Sequence, residues 1–287
     1  MIAAIGPALL ALVGFGINDL IFKHAAARGA KPHHLVMMFG FCMLPYVAVF
    51  SLIGGGFVAN PVALWGALGG AIASLGFYNF FGALRTGAVS IAAPVFRLAF
   101  VVTALLGIVL LGESLTTLKA LGLAIAVLAA WLLLAGAGAG PGGAKAELTR
   151  EGLARLAIAT ASIGVAIFCF KYGIHKGGTP ASVLLAQSIG LALAATIGAL
   201  ANDRRLAGAI TALPYGLALG LFQTMALGAL GIGFVSGEVS ILFPIAQLSF
   251  VVTAVVGIAF LGERLSTRKV LGLACAVAAV IVLGRAA

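Results

Sequence analysis

Charged residues are scarce in this chain. Asp, Glu, Lys and Arg make up only 8% of its 287 residues, whereas 63% of the residues are hydrophobic and the mean hydropathy is +1.22. A soluble domain carries about 25% charged residues, so this chain could not cover its surface against water. Apolar runs of about 20 residues recur along the sequence, which is the length that a membrane-spanning helix needs. Short alternating segments, which are typical of a transmembrane β-barrel, are missing. The sequence therefore predicts an all-α polytopic membrane protein.

Motifs for metals, disulfides and nucleotides are also missing. Cys42, Cys169 and Cys275 lie in separate apolar runs without CxxC spacing, so neither a disulfide nor a metal site is predicted. No G-x-x-x-x-G-K-[ST] occurs, and the one G-x-G-x-x-G, over residues 138–143, contains Pro141 and follows a spanning helix instead of a strand. We therefore predict no cofactor and no bound metal. The four histidines are predicted to lie on solvated loops beside basic residues: His24, His33, His34 and His175.

A net charge of +10 could indicate a nucleic-acid partner. The basic residues, however, stand singly or in small groups at the ends of apolar runs, where retention on the cytoplasmic side of a membrane explains them. We predict that the partners are the lipid bilayer and a small-molecule substrate, with no nucleic acid. The chain begins without a basic segment, so its start is predicted to be a first spanning helix and not a cleaved signal peptide.

A long internal repeat organises the sequence. Residues 87–129 return as residues 237–279, and about 26 of these 43 paired positions are identical. Both copies contain a proline (Pro94, Pro244) and end an apolar run with Leu-Gly-Glu (Leu111–Glu113, Leu261–Glu263). The repeat extends upstream with a small shift, because Phe22-Lys23 recurs as Phe170-Lys171 and Gly66-x-x-x-Gly70 recurs as Gly216-x-x-x-Gly220. We interpret the chain as the product of an internal duplication of one ancestral half.

Ten spanning helices are predicted, five in each half. Residues 1–136 form the first repeat, residues 137–150 a glycine-rich and then charged linker, and residues 151–287 the second repeat. Pro, Gly and capping residues place the helices near 2–22, 33–53, 61–84, 88–111, 114–136, 152–174, 179–201, 212–236, 238–261 and 266–284, with Ser114 capping the fifth. Because five is an odd number, the two halves must cross the membrane in opposite directions. The predicted architecture is a 5+5 inverted-topology repeat, which is the plan of many secondary transporters.

Loop charges predict the orientation of the protein. About 12 of the 17 Lys and Arg residues fall on the face that holds the loop after helix one, and about four fall on the face that holds both termini. The positive-inside rule therefore predicts that both termini lie outside the cytoplasm. We expect a multi-pass protein of the cytoplasmic (inner) membrane.

The order of these features resembles the EamA-type family of the drug/metabolite transporter superfamily. The residues that carry the resemblance are the paired prolines, the paired Leu-Gly-Glu turns, and Gly122 and Gly272 in the following helices. The resemblance covers essentially the whole chain. It implies efflux of small metabolites, with amino acids prominent, by alternating access. Nucleotide-sugar, triose-phosphate and cationic-drug carriers share the superfamily, so the resemblance does not choose a substrate.

Polar residues deep in apolar helices are the candidate site. Arg97 lies about nine residues into helix four, close to the middle of the bilayer, where a guanidinium costs several kcal/mol unless it meets water, a carboxylate or a ligand. Its repeat partner is Gln247, and the two prolines nearby are candidate hinges. Helices one, three and eight are predicted to line the same cavity. The predicted substrate-binding residues are Arg97, Gln247, Asn18, Asp19, Ser74, Tyr78, Asn79, Gln223 and Thr224.

Two interpretations of Arg97 remain open at this stage. It either contacts a negative group of the substrate or forms a structural ion pair with Asp19. For Glu113 and Glu263 the prediction is structural: each carboxylate caps the helix that follows it in the chain. The repeated glycine pairs are predicted to pack helices within the molecule, with homodimer formation as the alternative, so we expect a functional monomer.

The sequence as a whole predicts a secondary transporter that exports small polar metabolites, with amino acids as the first candidates. A multidrug or sugar-type carrier of the same superfamily is the alternative. A membrane enzyme acting on a lipid-linked substrate would need clustered His, Asp or Glu at one interface, and the seven acidic residues are scattered. A channel would more naturally form a symmetric oligomeric pore than an inverted repeat.

Overall fold

The computed structural model describes residues 2–53, 60–85, 95–134, 150–203, 206, 208–252, 255–256 and 267–286, and these residues form helices without any strand. The helices are α1 (Ile2–Ala27), α2 (Pro32–Ile53), α3 (Leu64–Arg85), α4 (Ala99–Leu111), α5 (Thr117–Leu134), α6 (Arg150–His175), α7 (Pro180–Asn202), α8 (Leu213–Ser236), α9 (Val239–Gln247) and α10 (Thr267–Ala286). Short 3₁₀ turns, Pro61–Ala63 and Ala209–Ala212, precede α3 and α8. The polytopic all-α fold predicted from composition is confirmed.

Six of the helices are long and apolar enough to cross a membrane: α1, α2, α3, α6, α7 and α8. The described parts of the other four helices are apolar but shorter. Much of the predicted linker and the Gly54–Gly56 turn lie outside the described residues, as do Pro94, Glu263 and the C-terminal part of predicted helix nine.

The start of α5 differs from the sequence prediction. Ser114 was expected to cap this helix, but the cap is Thr116, whose hydroxyl oxygen accepts a hydrogen bond from the backbone N–H of Lys119 at 3.2 Å. Ser114 instead offers its backbone carbonyl to the Lys119 ammonium group. The helix therefore begins at Thr117, two residues later than a cap at Ser114 would place it.

The repeated glycines bring helices of different halves into backbone contact. A methyl group on Gly66 or Gly70 of α3 would collide with the carbonyl oxygens of Val183 and Gln187 in α7. A methyl group on Gly216 of α8 would likewise lie 2.9 Å from the carbonyl carbon of Met38 in α2, and one on Gly220 would lie 2.8 Å from that of Cys42. The prediction that these glycines pack helices inside the molecule is confirmed.

The helical path is interrupted beside the two residues predicted to define the site. Helical residues 95–97 are followed by a turn at Leu98 before α4, and α9 ends at Gln247 with a turn at Leu248. Both turns contain tighter i→i−3 bonds, from the Leu98 N–H to the Val95 carbonyl at 3.0 Å and from the Leu248 N–H to the Ile245 carbonyl at 3.1 Å. Pro244 lies inside α9, where it removes a backbone donor and crowds the carbonyl four residues earlier. Arg97 and Gln247 are thus the last helical residues before the two turns.

Two further glycines let neighbouring helices approach these interruptions. A methyl group on Gly16 of α1 would lie 2.8 Å from the carbonyl oxygen of Ser249, and one on Gly164 of α6 would lie 2.8 Å from the carbonyl oxygen of Ala99. Gly16 and Gly164 are equivalent in the sequence repeat. Asp19 follows Gly16 by three residues and therefore lies on the same face of α1, which packs against this region.

Candidate functional site

A cavity lies among the helices that carry the predicted polar residues. Its walls come from α1, α2, α3, α6, α7, α8 and α9, together with the residues just before α4. Its polar lining consists of Asn18, Asp19, Arg97, Gln187, Gln223 and Gln247. The structure therefore brings together five of the residues predicted from sequence and adds Gln187.

Arg97 is the centre of the polar lining. Its guanidinium donates one hydrogen bond to the Gln247 Oε1 atom at 2.7 Å and forms an ion pair with the Asp19 carboxylate. Arg97 is 7% exposed and the Asp19 side chain 25% exposed, so the positive charge is removed from water and compensated inside the protein. A buried guanidinium without such a partner would cost several kcal/mol. The Arg97–Asp19 pair anticipated from sequence is present.

A second polar pair faces the same cavity. The Asn18 side-chain amide donates a hydrogen bond to the Gln223 Oε1 atom at 2.7 Å, and both residues are buried. Within the described part of the chain, the Asn18 Oδ1 and Gln187 Oε1 atoms are buried and accept no hydrogen bond. A buried acceptor without a donor costs about 1–3 kcal/mol. Both oxygens belong to residues that line the cavity, so a ligand that reached them and donated hydrogen bonds would remove this cost.

Aromatic side chains make up most of the remaining wall. Seven phenylalanines line the cavity: Phe15, Phe22, Phe39, Phe77, Phe80, Phe96 and Phe243. Phe80 and Phe96 are stacked with ring centroids 4.0 Å apart, and Phe22, Phe39 and Phe77 contact one another with centroids 5.4–6.1 Å apart. Such rings offer flat apolar surfaces beside the polar groups, an arrangement typical of small-molecule sites.

The cavity is small in this structure. Its volume is about 60 Å³, which holds a few water molecules but lies well below the roughly 300 Å³ of an ordinary ligand pocket. A solute with several heavy atoms can enter only if the surrounding groups move apart.

Four of the predicted site residues do not reach the cavity. Ser74 and Thr224 are buried but lie one position from the lining residues Ala73 and Gln223, on the adjacent face of their helices. The Asn79 amide donates to the Leu75 carbonyl of its own helix at 2.9 Å. The Tyr78 hydroxyl lies 3.1 Å from Asn202 at an exposed position. The structure therefore places five of the nine predicted residues in the cavity lining and these four outside it.

Pro244 is one of the two prolines predicted to act as hinges. Pro244 lies three residues before Gln247, next to the helix interruption, whereas its repeat partner Pro94 is outside the described residues. A hinge role for these prolines stays a prediction.

Gln187 was not among the predicted site residues because α7 contains several weakly polar residues. It is nevertheless the only Gln, Asn, Asp or Glu in the interior turns of that helix.

Glu113 caps a different helix from the one predicted. Its carboxylate accepts hydrogen bonds from the backbone N–H groups of Val239 at 2.8 Å and Ser240 at 3.0 Å. The capped element is therefore α9 of the other half of the sequence, and not α5. Gly112, in a left-handed conformation with φ of 69°, ends α4 just before Glu113, and the start of α9 packs against this end.

His34 also differs from its prediction. It is 2% exposed instead of solvated, and its Nε2 atom lies 3.5 Å from the Asp203 carboxylate. Potential ligand atoms of His33, His34 and Asp203 all lie within 4.8 Å of one another. The Lys31 ammonium group is 3.4 Å from the same Asp203 oxygen, so a cation already neutralises this carboxylate. His24 and His175 are exposed as predicted, but all four histidines lie within helices and not in loops.

Comparisons with known proteins place the fold and the family. No curated protein matches the chain. A solved structure, titled only as the crystal structure of a protein, aligns with 99% of this chain and 97% of its own length with a TM-score of 0.75 and 18% sequence identity. That likeness shows a shared fold. The family model described as "Sugar transport protein" matches residues 5–286. The chain therefore belongs to the sugar transport protein family, a family of membrane transporters of the drug/metabolite type.

Proposed function

We propose that this protein is a secondary transporter of small, uncharged, polyhydroxylated solutes, with monosaccharides as the best-fitting class. The observation that carries the proposal is the pair of buried, unsatisfied amide oxygens, Asn18 Oδ1 and Gln187 Oε1, in the wall of the cavity. A hydroxyl group donates one hydrogen bond and accepts others. A solute bearing several hydroxyls can therefore satisfy both oxygens and still accept from the neighbouring amides.

The charge of the site supports an uncharged solute. Arg97 and Asp19 are the charged residues among those that line the cavity, and they neutralise each other. An anion would bring further acceptors to a site whose guanidinium already has two partners. Sugar rings also present apolar C–H faces, which the phenylalanine walls can cover. The family description points to the same class of solute.

A neutral amino acid is the second candidate, and the Arg97–Asp19 pair is the observation that favours it. If the pair separates, Arg97 can hold a carboxylate through its planar fork, and Asp19 can hold the ammonium group of the same zwitterion. This mode would require the ion pair to open in every transport cycle. Sugar binding would leave the pair intact.

We also propose that the two sequence halves form a 5+5 inverted-topology repeat that works by alternating access. The reciprocal packing of equivalent helices supports it: α3 packs on α7 as α8 packs on α2, and Gly16 and Gly164 approach equivalent interruptions. Both glycine faces are used inside the chain, which favours a functional monomer. The proposed location is the cytoplasmic membrane with both termini outside the cytoplasm, and the proposed direction of net flux is export, which rests on the family resemblance alone.

Counterflow in proteoliposomes tests the substrate. Liposomes containing the purified protein and loaded with an unlabelled monosaccharide should accumulate the same labelled sugar, whereas liposomes loaded with a neutral amino acid should not accumulate labelled amino acid. Gln187→Leu and Asn18→Leu should each weaken sugar uptake about tenfold, because each removes an acceptor worth about 1.4 kcal/mol.

Thr224→Val is the matched control for these variants. It is a buried, nearly isosteric change next to Gln223 but outside the cavity, so it should leave counterflow unchanged. Counterflow of amino acids but not of sugars, with loss of activity in Arg97→Gln, would replace the first candidate with the second. Equal losses in Gln187→Leu and Thr224→Val would mean that the variants damage the fold.

A further inference from the structure

Two histidines and one aspartate meet where α2 begins and α7 ends. His33 and His34 lie in the first turn of α2, and Asp203 is the residue that follows the last turn of α7. The potential ligand atoms of the three side chains, one from each, all lie within 4.8 Å of one another. The two imidazole rings have their centroids 4.4 Å apart. Imidazole nitrogen and carboxylate oxygen are common ligands of Zn²⁺, so the cluster has the composition of a zinc site.

The backbones that carry these side chains are fixed against each other. A methyl group on Gly40 of α2 would lie 2.8 Å from the Cα atom of Ala192 in α7, so the two helices are in backbone contact. The Asp203 N–H donates a hydrogen bond to the Ala199 carbonyl oxygen at 2.8 Å, which continues the helical pattern up to the carboxylate-bearing residue. Ligands on packed helices are held more precisely than ligands on loops. Helix packing therefore sets the positions of all three side chains.

His34 is the residue of the cluster that most needs a ligand. Its side chain is 3% exposed, yet its Nε2 atom makes no hydrogen bond within the part of the chain that the structure describes. A buried polar atom without a hydrogen bond is costly and calls for a partner such as an ion. The Nε2 atom lies 3.5 Å from the Asp203 Oδ2 atom. Bonds of about 2.0–2.2 Å to a tetrahedral Zn²⁺ place neighbouring ligand atoms about 3.4 Å apart, so these two atoms already have the spacing of two zinc ligands.

The rest of the coordination sphere can form without moving a helix. The limit of 4.8 Å between the three ligand atoms means that a side-chain adjustment of about 1 Å brings them all to bonding distance. A cavity of about 270 Å³ lies beside the cluster and is lined by His34 and Lys31. It has room for water, which takes the open position in zinc sites with three protein ligands. The Asp203 side chain is 22% exposed, so an ion can reach it from the solvent.

Lys31 competes with a metal ion for the Asp203 carboxylate. Its ammonium group lies 3.4 Å from Oδ2, the same oxygen that His34 faces. The Lys31 side chain is 53% exposed and has a flexible stem, so it can turn into the solvent when a divalent ion takes its place. Arg28, in the wall of the same cavity, is also exposed, and solvent screens its charge.

We propose that His33, His34 and Asp203 bind a divalent metal ion of the zinc type. The ion joins the start of α2, in the first half of the sequence, to the end of α7, in the second half. It displaces the Lys31 ammonium group from Asp203. The proposal does not depend on the transported solute, so the metal site and the proposed substrate can each fail without the other.

Binding of Zn²⁺ to the purified full-length protein tests the proposal. The protein is prepared without a histidine tag, treated with a chelator that is then removed, and titrated with Zn²⁺ in a calorimeter. We expect one Zn²⁺ per chain. We also expect Zn²⁺ to raise the melting temperature in detergent, because an ion that binds only the folded state stabilises it. Mg²⁺ and Ca²⁺ prefer oxygen ligands and should do neither.

Asp203→Asn and Lys31→Met form a matched pair of variants, because each breaks the same ion pair. Asp203→Asn removes a metal ligand and should weaken Zn²⁺ binding at least about tenfold, since the loss of even an outer-shell partner does so. Lys31→Met removes the competing cation and should strengthen binding about two- to fivefold, the range expected for an exposed ion pair. If the two variants change Zn²⁺ affinity in the same direction, or neither changes it, Asp203 serves only in the ion pair and the proposal is overturned.

His34→Ala should also weaken Zn²⁺ binding at least about tenfold. His175→Ala is its control, because His175 is an exposed histidine at the end of α6 and outside the cluster. It should leave the affinity unchanged. If the buried change at His34 prevents folding, Asp203→Asn and Lys31→Met decide the question alone, since both alter partly exposed side chains. A wild-type protein that binds no Zn²⁺, or Zn²⁺ that binds the wild type and Asp203→Asn equally, would refute the site.

Discussion

Arg97 donates a hydrogen bond to Gln247 at 2.7 Å, and these two residues occupy the same position in the two copies of the repeated segment. Equivalent residues that touch must lie beside any axis that relates the copies. At this point one copy offers a cation that only donates, and the other an amide that donates and accepts. Asp19 and Asn18 sharpen the difference, because their counterparts are Ile167 and Ala166. The two sides of the cavity therefore differ in chemistry at positions that the repeat makes equivalent.

Removing the charge of Arg97 should destabilise the protein. Arg97→Gln leaves the partly buried Asp19 carboxylate without its cation, which we expect to cost about 2–3 kcal/mol, at the low end for a buried pair because Asp19 keeps some solvent contact. The melting temperature in detergent measures this loss. The double variant Arg97→Gln with Asp19→Asn should recover much of it. A double variant no more stable than Arg97→Gln would show that the guanidinium acts through contacts other than the ion pair.

Enlarging Gly16 should separate α1 from the interruption after Gln247. In Gly16→Ala the new methyl group would stand 2.5 Å from the Val252 Cβ atom and 2.8 Å from the Ser249 carbonyl oxygen, so α1 must shift. We expect a lower melting temperature and a loss of counterflow, because the shift also moves Asp19. Gly6→Ala in the same helix is the control. Its methyl group would meet no atom within 4 Å, and alanine favours a helix by about 1 kcal/mol, so stability should be unchanged or higher.

The Asn18–Gln223 pair should be coupled energetically. Gln223→Leu removes the acceptor of the Asn18 amide and should cost about 1–3 kcal/mol of stability. In Asn18→Leu with Gln223→Leu both polar groups are gone, so the double variant should be less unstable than the sum of the single variants. Thermal unfolding of the four proteins gives the coupling free energy. If the stability loss of the double variant equals the sum of the two single losses, the two amides do not depend on each other.

The orientation can be tested by labelling in intact cells. In a protein without Cys42, Cys169 and Cys275, single cysteines at positions 30 and 207 should be protected from an impermeant thiol reagent, because the positive-inside rule places these loops in the cytoplasm. A cysteine at position 287 should react. The opposite pattern would reverse the orientation and leave the helical fold as described.

The sequence predicts the elements of this fold well because each signal is local. Apolar runs of spanning length, prolines and glycines mark the helices, and the repeated Gly-x-x-x-Gly pairs mark close helix contacts. The Arg97–Asp19 pair is also foreseeable, since a guanidinium at that depth needs a carboxylate, and Asp19 is the acidic residue that the first helix offers.

What the sequence does not contain is the rotation of each helix about its axis. Gln223 and Thr224 have almost the same depth, yet they point about 100° apart, and only Gln223 meets the cavity. The same ambiguity applies to Tyr78 and Asn79, which lie outside the cavity lining. Glu113 was assigned to the nearest helix along the chain because the approach of α9 from the other half is set by tertiary packing, which no local pattern records.

The glycine contacts limit how this molecule can change shape. At Gly66, Gly70, Gly216 and Gly220 the backbones of α3 and α7, and of α8 and α2, lie against each other with no side chain between them. Each of these interlocked pairs takes one helix from each half of the sequence. The two halves of the sequence therefore cannot separate as rigid bodies without breaking these backbone contacts. A bend at the interruptions beside Leu98 and Leu248 costs less free energy, because tighter i→i−3 hydrogen bonds already replace the regular α-helical ones there. Arg97 and Gln247 would move with such a bend.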